Sequence, residues 1–565
     1  MKFELIQEAD CRGASCTLWP GAVRSARLVW ACVVSASVLA GCGGGSGTGA
    51  PPPPAPDFSV SVTPASLTAV EGGTSAPAMV SVTAANGFTG TVSVAILGLP
   101  SGATTNPPSL TVSTASPQSF TVTTTSTTPT GTVALTLHAT SGTLAHDAPV
   151  SLTTNPVIQT SQIGTVLFLQ SQANGHTARI GLDTNWGGAI VEVSLDGTNF
   201  VNAHDTGREV QPALYDGAAQ YSAQCANYGW DPVLAGDYYD HGSLVLSQTI
   251  GAQSLYTQTT PVQWCPDQFG GGSGTAAPTD MTFEQTVMLA PTAPLAFKVH
   301  YKMTHNGSDT HYNTGQEFPA VYVNSAYQTF AYYGGTNPWT SGNITKTLAP
   351  VTSPAAPNGP AVYAPEQSAA LVDGNNQGLT VFVPGVYPSW SATSFPQSGG
   401  SGPTGDATVY MTPLTIFTIA PGAVIEGDIF LVPGDATLAR SVVYGLHQAL
   451  SASSIVMPLG TLDVPAANAT IAGANAAISG WAFGKVAVAA VTIYVDGSFR
   501  GSATLGGARP DVAAAYPNLA PANCGWTYSL DTTSLANGAH EISIHVLDTS
   551  NNEAILLPVS VTVSN

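Results

Sequence analysis

Short stretches in which apolar and polar residues alternate dominate most of the chain. Near the start they lie at residues 58–64, 91–100, 119–125 and 132–140. Alternation with a period of two places every second side chain on one face of a β-strand. Residues that favour turns separate these stretches, which is typical of antiparallel β-sandwiches. We therefore predict a small β-sandwich over residues 58–156.

The end of the chain has the same pattern. Residues 478–484 and 491–503 alternate, and Asp496-Gly497 inside the second stretch is a strong hairpin signal. A second small β-sandwich is predicted over residues 454–565. Both terminal segments resemble the Ig-like modules of bacterial surface proteins; the second carries Gly-Trp-Ala, Val-Asp-Gly, Arg-Pro-Asp-Val and Leu-Ala-Asn-Gly-x-His. The resemblance implies modules that space or present another domain.

Strand patterns also fill the middle of the chain, residues 157–453, with examples at 164–171, 189–201, 281–289, 296–305, 318–324, 378–385 and 426–434. Helical periodicity is confined to residues 436–450, for which Asp435 is the expected N-cap. One large two-layer sandwich fits this length and number of strands. The predicted fold class is all-β, with a large central β-supersandwich flanked by two small Ig-like β-sandwiches.

The N-terminus has the layout of a signal peptide. Residues 28–40 form an uncharged apolar run that directly follows Arg24 and Arg27. The run is shorter than the roughly 20 residues that a transmembrane helix needs. Leu39-Ala40-Gly41-Cys42 comes next and resembles the bacterial lipobox, which implies cleavage before Cys42 and a lipid on its sulfur.

This layout divides the start of the chain into two parts. We expect residues 1–42 to be an N-terminal extension and lipoprotein signal peptide, and residues 43–57, rich in Gly and Pro, to be a linker. Lipid on Cys42 would then attach the protein to a membrane without a transmembrane helix. The expected location is the cell envelope, at the outer membrane or the cell surface.

Composition narrows the class of partner. Only 8% of the residues are charged, and 13 Lys and Arg residues against 33 Asp and Glu residues give a formal net charge of −20. Without a basic surface to neutralise phosphates, a nucleic-acid partner is excluded. Cys225 and Cys265 are expected to form a disulfide in an oxidising compartment, and Cys524 is left over. No cofactor motif is present, and the spacing of His305 and His311 predicts no metal site.

Part of the central segment resembles the galactose mutarotase-like supersandwich, the fold of the aldose epimerases. The resemblance rests on residues 185–202, with a Gly-rich turn and an Asp-Gly hairpin, on the Gly-Arg pair within residues 204–211, and on residues 296–324. It implies a sugar site on a sheet face. The family's Asn-His-x-Tyr-Phe-Asn signature is missing, and Glu317 stands near the position of its histidine.

Three residues are candidates for acid–base or positioning chemistry: Glu317, Asp205 and Arg208. A carboxyl group can act as an acid or base on a sugar, and a guanidinium can bind a carboxylate or vicinal hydroxyls. Arg208 can equally form an ion pair with Asp205 or Glu209. The strand around residues 297–303 also places Lys298, His300 and Lys302 on one face, which suits an acidic saccharide or a solvated outer surface.

Aromatic residues in Gly-, Asn- and Pro-rich stretches are candidates for stacking on sugar rings. They are Trp230, Tyr239, Trp264, Tyr333, Trp339 and Trp390. The alternative is that these rings anchor long loops by burial.

Three hypotheses for the function follow. The first is a lipid-anchored protein that binds a polysaccharide or oligosaccharide through its central sandwich. The second makes that sandwich a carbohydrate-active enzyme, namely a glycoside hydrolase, a lyase or an epimerase. The third is a structural or adhesive surface protein. Two carboxylates that face one pocket would favour the enzyme, and a shallow aromatic strip would favour the binding protein.

Overall fold

The computed structural model describes residues 53–202, 209–216, 229–335, 337–351, 361–385, 389–395, 407–455, 458–550, 552–556 and 558–565. Nearly all of the regular structure in these residues is β-strand, as predicted. The predicted signal peptide and Cys42 lie outside the described residues. Among the residues described, none of the helices has the length and apolar character that crossing a membrane requires.

The first nine strands form a two-sheet sandwich that confirms the expected Ig-like architecture. They are β1 (Asp57–Thr63), β2 (Ser66–Val70), β3 (Ala78–Ala85), β4 (Val92–Leu97), β5 (Thr104–Asn106), β6 (Leu110–Val112), β7 (Gln118–Thr123), β8 (Gly131–Ser141) and β9 (Leu144–Asn155). One sheet has the order β1-β3-β7-β5 and the other β2-β9-β8-β4-β6. Alternate side chains such as Val94, Phe120 and Leu137 fill the space between the sheets.

Twenty-one strands and one helix make up the central sandwich. They are β10 (Val157–Ile163), β11 (Val166–Ala173), β12 (His176–Asp183), β13 (Ala189–Leu195), β14 (Thr198–Asn199), β15 (Val210–Tyr215), β16 (Pro232–Val233), β17 (Leu244–Ile250), β18 (Ser254–Thr260), β19 (Val262–Gln263), β20 (Met281–Ala290), β21 (Ala293–His305), β22 (His311–Asn324), β23 (Thr329–Tyr332), β24 (Thr345–Leu348), β25 (Val362–Tyr363), β26 (Ser368–Val372), β27 (Gln377–Phe382), β28 (Ser389–Phe395), β29 (Thr408–Ile419), β30 (Val424–Asp435) and α1 (Ala436–Ala449). Short 3-10 turns lie at Thr184–Trp186, Pro266–Phe269 and Ala452–Ser454.

These strands form two large sheets that pack face to face. The first sheet has the order β17-β18-β20-β21-β30-β27-β26-β23-β24. In the second sheet the antiparallel pairs run β10-β11-β12-β13-β15-β22-β29-β28. Phe297, Val299, Tyr301 and Met303 all enter the core between the sheets, which confirms the face predicted for this strand.

The single long helix of the central sandwich confirms the predicted one. The Asp435 carboxylate caps it by accepting hydrogen bonds from the backbone N–H groups of Thr437 (2.9 Å) and Leu438 (3.0 Å). The apolar side of α1, including Val443, packs on the outer face of the first sheet against Phe382 and Phe430. The helix thereby covers the part of that outer face around Phe382 and Phe430.

The last strands form another small sandwich, with β31 (Leu459–Val464), β32 (Thr470–Ile471), β33 (Ala476–Phe483), β34 (Val488–Val495), β35 (Ser498–Ser502), β36 (Thr504–Gly507), α2 (Pro510–Ala515), β37 (Gly525–Leu530), β38 (Gly538–Asp548), β39 (Glu553–Ile555) and β40 (Val559–Val563). The hairpin between β34 and β35 turns at Asp496 and Gly497, with φ of 50° and 72°, which is the turn predicted from the sequence. Strand β39 pairs with β29, so this module extends the second sheet. Trp526 is core and Cys524 is a free buried thiol.

Candidate functional site

One side of the second sheet is unusual because it is polar and yet buried. On β15, β22, β28 and β29, alternate side chains such as Leu214, Phe318, Trp390 and Met411 enter the core. The intervening side chains point to the opposite side of the sheet. We call this set the polar face; its buried members are Asn202, Glu209, Gln211, Glu317, Ser391, Thr393, Thr408, Tyr410 and Thr412.

Backbone pairing brings the two carboxylates of the polar face onto neighbouring strands. Glu317 on β22 lies opposite Ala213 on β15, and the Tyr322 N–H of β22 donates to the Glu209 carbonyl at 3.2 Å. A bulge between Gln211 and Ala213 changes the register between the two strands. Such bulges re-aim side chains next to binding sites. The polar face is therefore a rigid sheet surface that carries two acids.

Burial controls the chemistry of Glu317. The side chain is 6% exposed, and burial raises the pKa of its carboxyl above the usual range. The hydroxyl groups of Tyr215 and Tyr410 act in the opposite direction on that pKa, but the net shift remains upward. A carboxyl group in this state keeps its proton at a higher pH than an exposed one, so it can act as a proton donor.

Burial also raises the pKa of a second carboxyl group beside this sheet. Burial raises the pKa of Asp231 to about 8, against the lowering effect of the backbone N–H groups of Cys265 and Trp264. Asp231 precedes β16, which pairs with β15. Nearby, the Gln211 side-chain oxygen accepts a hydrogen bond from the Ala235 N–H at 2.6 Å, which fixes this amide.

The other predicted site residues have different positions. Asp205, Arg208 and Cys225 lie outside the described residues, so their roles remain predictions. Cys265 is fully buried and disulfide-bonded. Glu209, predicted from the sequence as a possible ion-pair partner of Arg208, is a buried member of the polar face.

The six aromatic candidates are mostly packed against protein. Trp390 has no exposed surface, and Trp230 and Tyr333 are each 7% exposed. The half-buried ring of Trp339 stacks on His447 at 3.7 Å between ring centroids. These four rings match the loop-anchoring alternative, since a covered ring has no face free for a sugar. Tyr239, whose hydroxyl donates to Asp267, and Trp264 are half-buried.

The three basic residues predicted on one face of β21 do lie together, and each has an acidic partner. His300 contacts Asp428 at 2.8 Å and Glu426 at 3.0 Å, and Lys302 contacts Glu284 at 2.9 Å. Lys298 lies 3.6 Å from Asp428, and Lys485 of the last module pairs with Glu426. Because these positive charges are already neutralised within the protein, the expected site for an acidic saccharide is not supported here.

The structure also brings together four side chains that the sequence analysis did not connect. Asp280, His305, Asp309 and His311 each offer a donor atom, and these atoms all lie within 4.8 Å of one another. We call this group the His/Asp cluster. It lies where β21 of the first sheet ends and β22 of the second sheet begins. Donors of these types can hold a metal ion.

Comparisons with known proteins identify the last module and add β-sandwich neighbours. Among solved structures, a polysaccharide lyase covers 69% of this chain at 9% identity with a TM-score of 0.29, and the match spans 46% of the lyase. The ICAM-5 D1–D4 ectodomain fragment covers 90% of this chain and 100% of its own at 10% identity, with a TM-score of 0.13. The fibronectin(III)-like modules of Clostridium thermocellum CbhA cover 19% of this chain and 93% of their own at 22% identity, with a TM-score of 0.12.

These values carry no inference about activity. No curated protein sequence matches the chain. The family model described as a bacterial Ig domain matches residues 458–544, so the last module has the Ig-like character predicted from its sequence.

Proposed function

We propose that this chain is an exported, lipid-anchored protein that binds a polysaccharide or oligosaccharide on the polar face of its central sandwich. The observation that carries the proposal is the concentration of carboxyl, amide and hydroxyl side chains on one buried sheet surface. Carboxyl, amide and hydroxyl groups are the side-chain groups that exchange hydrogen bonds with sugar hydroxyls, so their concentration on one sheet surface favours a ligand with many hydroxyl groups. The signal-peptide layout before Cys42 supports the exported, anchored part.

The chemistry of the polar face suits a neutral or weakly charged sugar. Carboxylates accept hydrogen bonds from sugar hydroxyls, while amides and tyrosine or threonine hydroxyls can donate or accept. Because these groups are fixed on paired strands rather than on loops, little side-chain entropy is lost when a ligand binds. Glu209 would be the central acceptor, and Glu317, which keeps its proton at a higher pH than an exposed carboxyl group, would be a donor beside Tyr410.

The test is binding of the full chain to a panel of neutral and acidic polysaccharides by titration calorimetry. We expect Glu317→Ala to weaken binding of the preferred polysaccharide by about tenfold, the effect of losing one hydrogen bond. Glu284→Ala is the matched control, because Glu284 lies on the outer face of the first sheet and pairs with Lys302. Equal binding by both variants and the wild type would contradict the proposed location.

A carbohydrate-active enzyme is the second candidate. The raised pKa of the Glu317 carboxyl favours it, because a general acid must carry a proton before the reaction. Glu209, next to the neighbouring strand β15, would be the second acid. Chromatography of polysaccharide incubated with the protein distinguishes the two functions. Products that disappear with Glu317→Gln establish the enzyme, whereas binding without products leaves the binding protein. Failure to bind any polysaccharide would leave the structural or adhesive hypothesis.

A further inference from the structure

The His/Asp cluster joins the two sheets of the central sandwich. Asp280 immediately precedes β20, and His305 is the last residue of β21. His311 is the first residue of β22, and Asp309 lies in the connection between β21 and β22. A group bound here would therefore tie together both ends of the connection that crosses from the first sheet to the second.

The hydrogen bonds of His305 prepare one ring nitrogen for a ligand. Its side chain is fully buried, and its Nδ1 lies 2.9 Å from the Ala420 carbonyl oxygen, which requires a proton on Nδ1. In a neutral ring the lone pair is then on Nε2. That atom faces Asp280 Oδ2 at 3.2 Å and Asp309 Oδ1 at 3.5 Å. A backbone carbonyl that fixes the distant nitrogen is the usual support of a metal-binding histidine.

His311 supplies an independent observation. Its Nε2 is buried and has no hydrogen-bond partner, although the residue is only 5% exposed. Asp309 Oδ2 lies 3.9 Å from this nitrogen, which is too long for a hydrogen bond, and Asp216 Oδ2 lies 3.5 Å from the other ring nitrogen, Nδ1. Trp230 stacks on this ring at 3.7 Å between ring centroids and holds its orientation. A buried nitrogen beside the Asp309 carboxylate without a hydrogen bond of its own calls for a missing partner.

The cluster leaves no room for a side chain at Gly307. A Cβ atom added to Gly307 would lie 2.5 Å from His305 Nε2 and 2.8 Å from Asp309 Oδ1, and closer still to Asp280 Oδ2, so a larger residue there would push these donor atoms aside. Trp230 Nε1 donates to Asp280 Oδ1 at 3.0 Å, which leaves Oδ2 facing His305 Nε2.

We propose that Asp280, His305, Asp309 and His311 bind one divalent transition-metal ion, for which zinc is the best match. Two imidazole nitrogens and two carboxylate oxygens form a four-ligand set of the kind that zinc accepts, whereas calcium and magnesium prefer oxygen ligands alone. Four protein ligands leave no open position, so the ion would be structural. It would fix the connection between β21 and β22, six residues before Glu317 in the chain.

The test is the zinc content of the full chain after treatment with a chelator, reloading with zinc and exhaustive dialysis, measured by mass spectrometry. We expect one zinc ion per chain in the wild type. His311→Gln removes one ligand, and Gly307→Ala presses a methyl group against Asp280, His305 and Asp309 and displaces them without replacing a ligand. Both variants should lose the bound zinc. His138→Gln is the matched control, because His138 forms an exposed pair with Asp147 in the first module and should leave the zinc content unchanged.

Thermal unfolding of the wild type gives a second measurement that does not depend on any variant. We expect zinc to raise the midpoint of unfolding and EDTA to lower it, since an ion that binds the folded state stabilises it. Circular dichroism reports whether each variant is folded. A wild type that retains no zinc and whose midpoint is insensitive to zinc overturns the proposal. Retention of one zinc ion by folded Gly307→Ala or His311→Gln overturns it as well.

Discussion

Acidic side chains are buried on both outer sides of the central sandwich, but their pKa values shift in opposite directions on the two sides. On the first sheet, Asp428 is 3% exposed and lies beside His300 and Lys298. Burial would raise the pKa of its carboxyl, but His300, Ser454 and Lys298 together lower that pKa below its usual value. On the second sheet, burial dominates, and the carboxyl groups of Glu317 and Asp231 have raised pKa values.

The direction of the pKa shift distinguishes acids that stabilise the fold from acids that can take part in proton transfer or ligand binding. A carboxylate held ionised by cations contributes to cohesion and has no proton to give at neutral pH. A carboxyl group that burial keeps neutral can donate a proton or a hydrogen bond, and its burial without a cation lowers stability as the pH rises. The second sheet is therefore the side on which we expect ligand chemistry, whereas the paired acids of the first sheet hold the protein together, for example through the ion pair of Glu426 with Lys485 of the last module.

The first expected effect is the loss of a buried ion pair on the first sheet. Asp428→Ala should lower the free energy of unfolding by about 3 kcal/mol, the lower end of the range for a broken buried pair, because it leaves His300 and Lys298 with less compensation. His300 and Lys298 are 27% and 22% exposed, which limits the loss. Urea denaturation monitored by circular dichroism measures it.

The control for this variant is Asp147→Ala, which breaks an exposed pair with His138. Exposed pairs contribute about 0–1 kcal/mol, so the control should be nearly neutral. Similar losses in the two variants would show that burial does not set the strength of pairing in this chain.

The next expected effect is on the side where burial dominates. Burial raises the folded-state pKa of Asp231 to about 8, above the ordinary value of 3.8 that applies when the chain is unfolded. The contribution of the neutral Asp231 carboxyl group to the unfolding free energy is therefore complete below about pH 4. It is lost as the pH rises towards 8, at about 1.4 kcal/mol per pH unit. Asp231→Asn should flatten the decline of the unfolding free energy over this window.

Asp511→Asn tests the opposite sign. The exposed Asp511 carboxylate pairs with Arg509, which lowers its pKa to about 2. Its contribution is present above the unfolded value of 3.8 and is lost as the pH falls towards 2. Between pH 4 and pH 8 this variant should have the same slope as the wild type. If the unfolding free energy of Asp231→Asn fell with pH as steeply as that of the wild type, the Asp231 carboxyl group would not be neutral in the folded protein.

The sequence predicted the fold well because alternation is a local signal. The alternation within a strand predicts which of its faces is buried, as it does for residues 297–303. Asp496-Gly497 predicts a turn and Asp435 predicts the start of a helix from the residues next to them in the chain. The packing of aromatic residues is not local. Trp390 alternates with polar residues on its strand, but whether its side faces a core or a ligand depends on the opposite sheet.

The candidate sites were harder to predict for the same reason. Glu317 was found by resemblance, but Tyr410 and Gln211 join it through pairing between strands far apart in the chain. The His/Asp cluster combines Asp280 with three residues between 305 and 311, and the spacing of its histidines matches no common metal motif. The useful signal was Gly307 between polar residues in a short connection, where a close approach of ligands requires the absence of a side chain.

The smallest expected effect lies at the edge of the paired side. Lys302 is 43% exposed and Glu284 is 25% exposed, and the Lys302 ammonium group lowers the pKa of the Glu284 carboxyl. Solvent screens this pair, so a double-mutant cycle with Lys302→Ala and Glu284→Ala should give a coupling free energy below about 1 kcal/mol that falls with added salt. Urea denaturation at low and high salt measures it. A larger coupling that does not change with salt would mean that the charged residues between Asp428 and Glu284 act as one network. The strength of each ion pair would then not depend on its exposure to solvent.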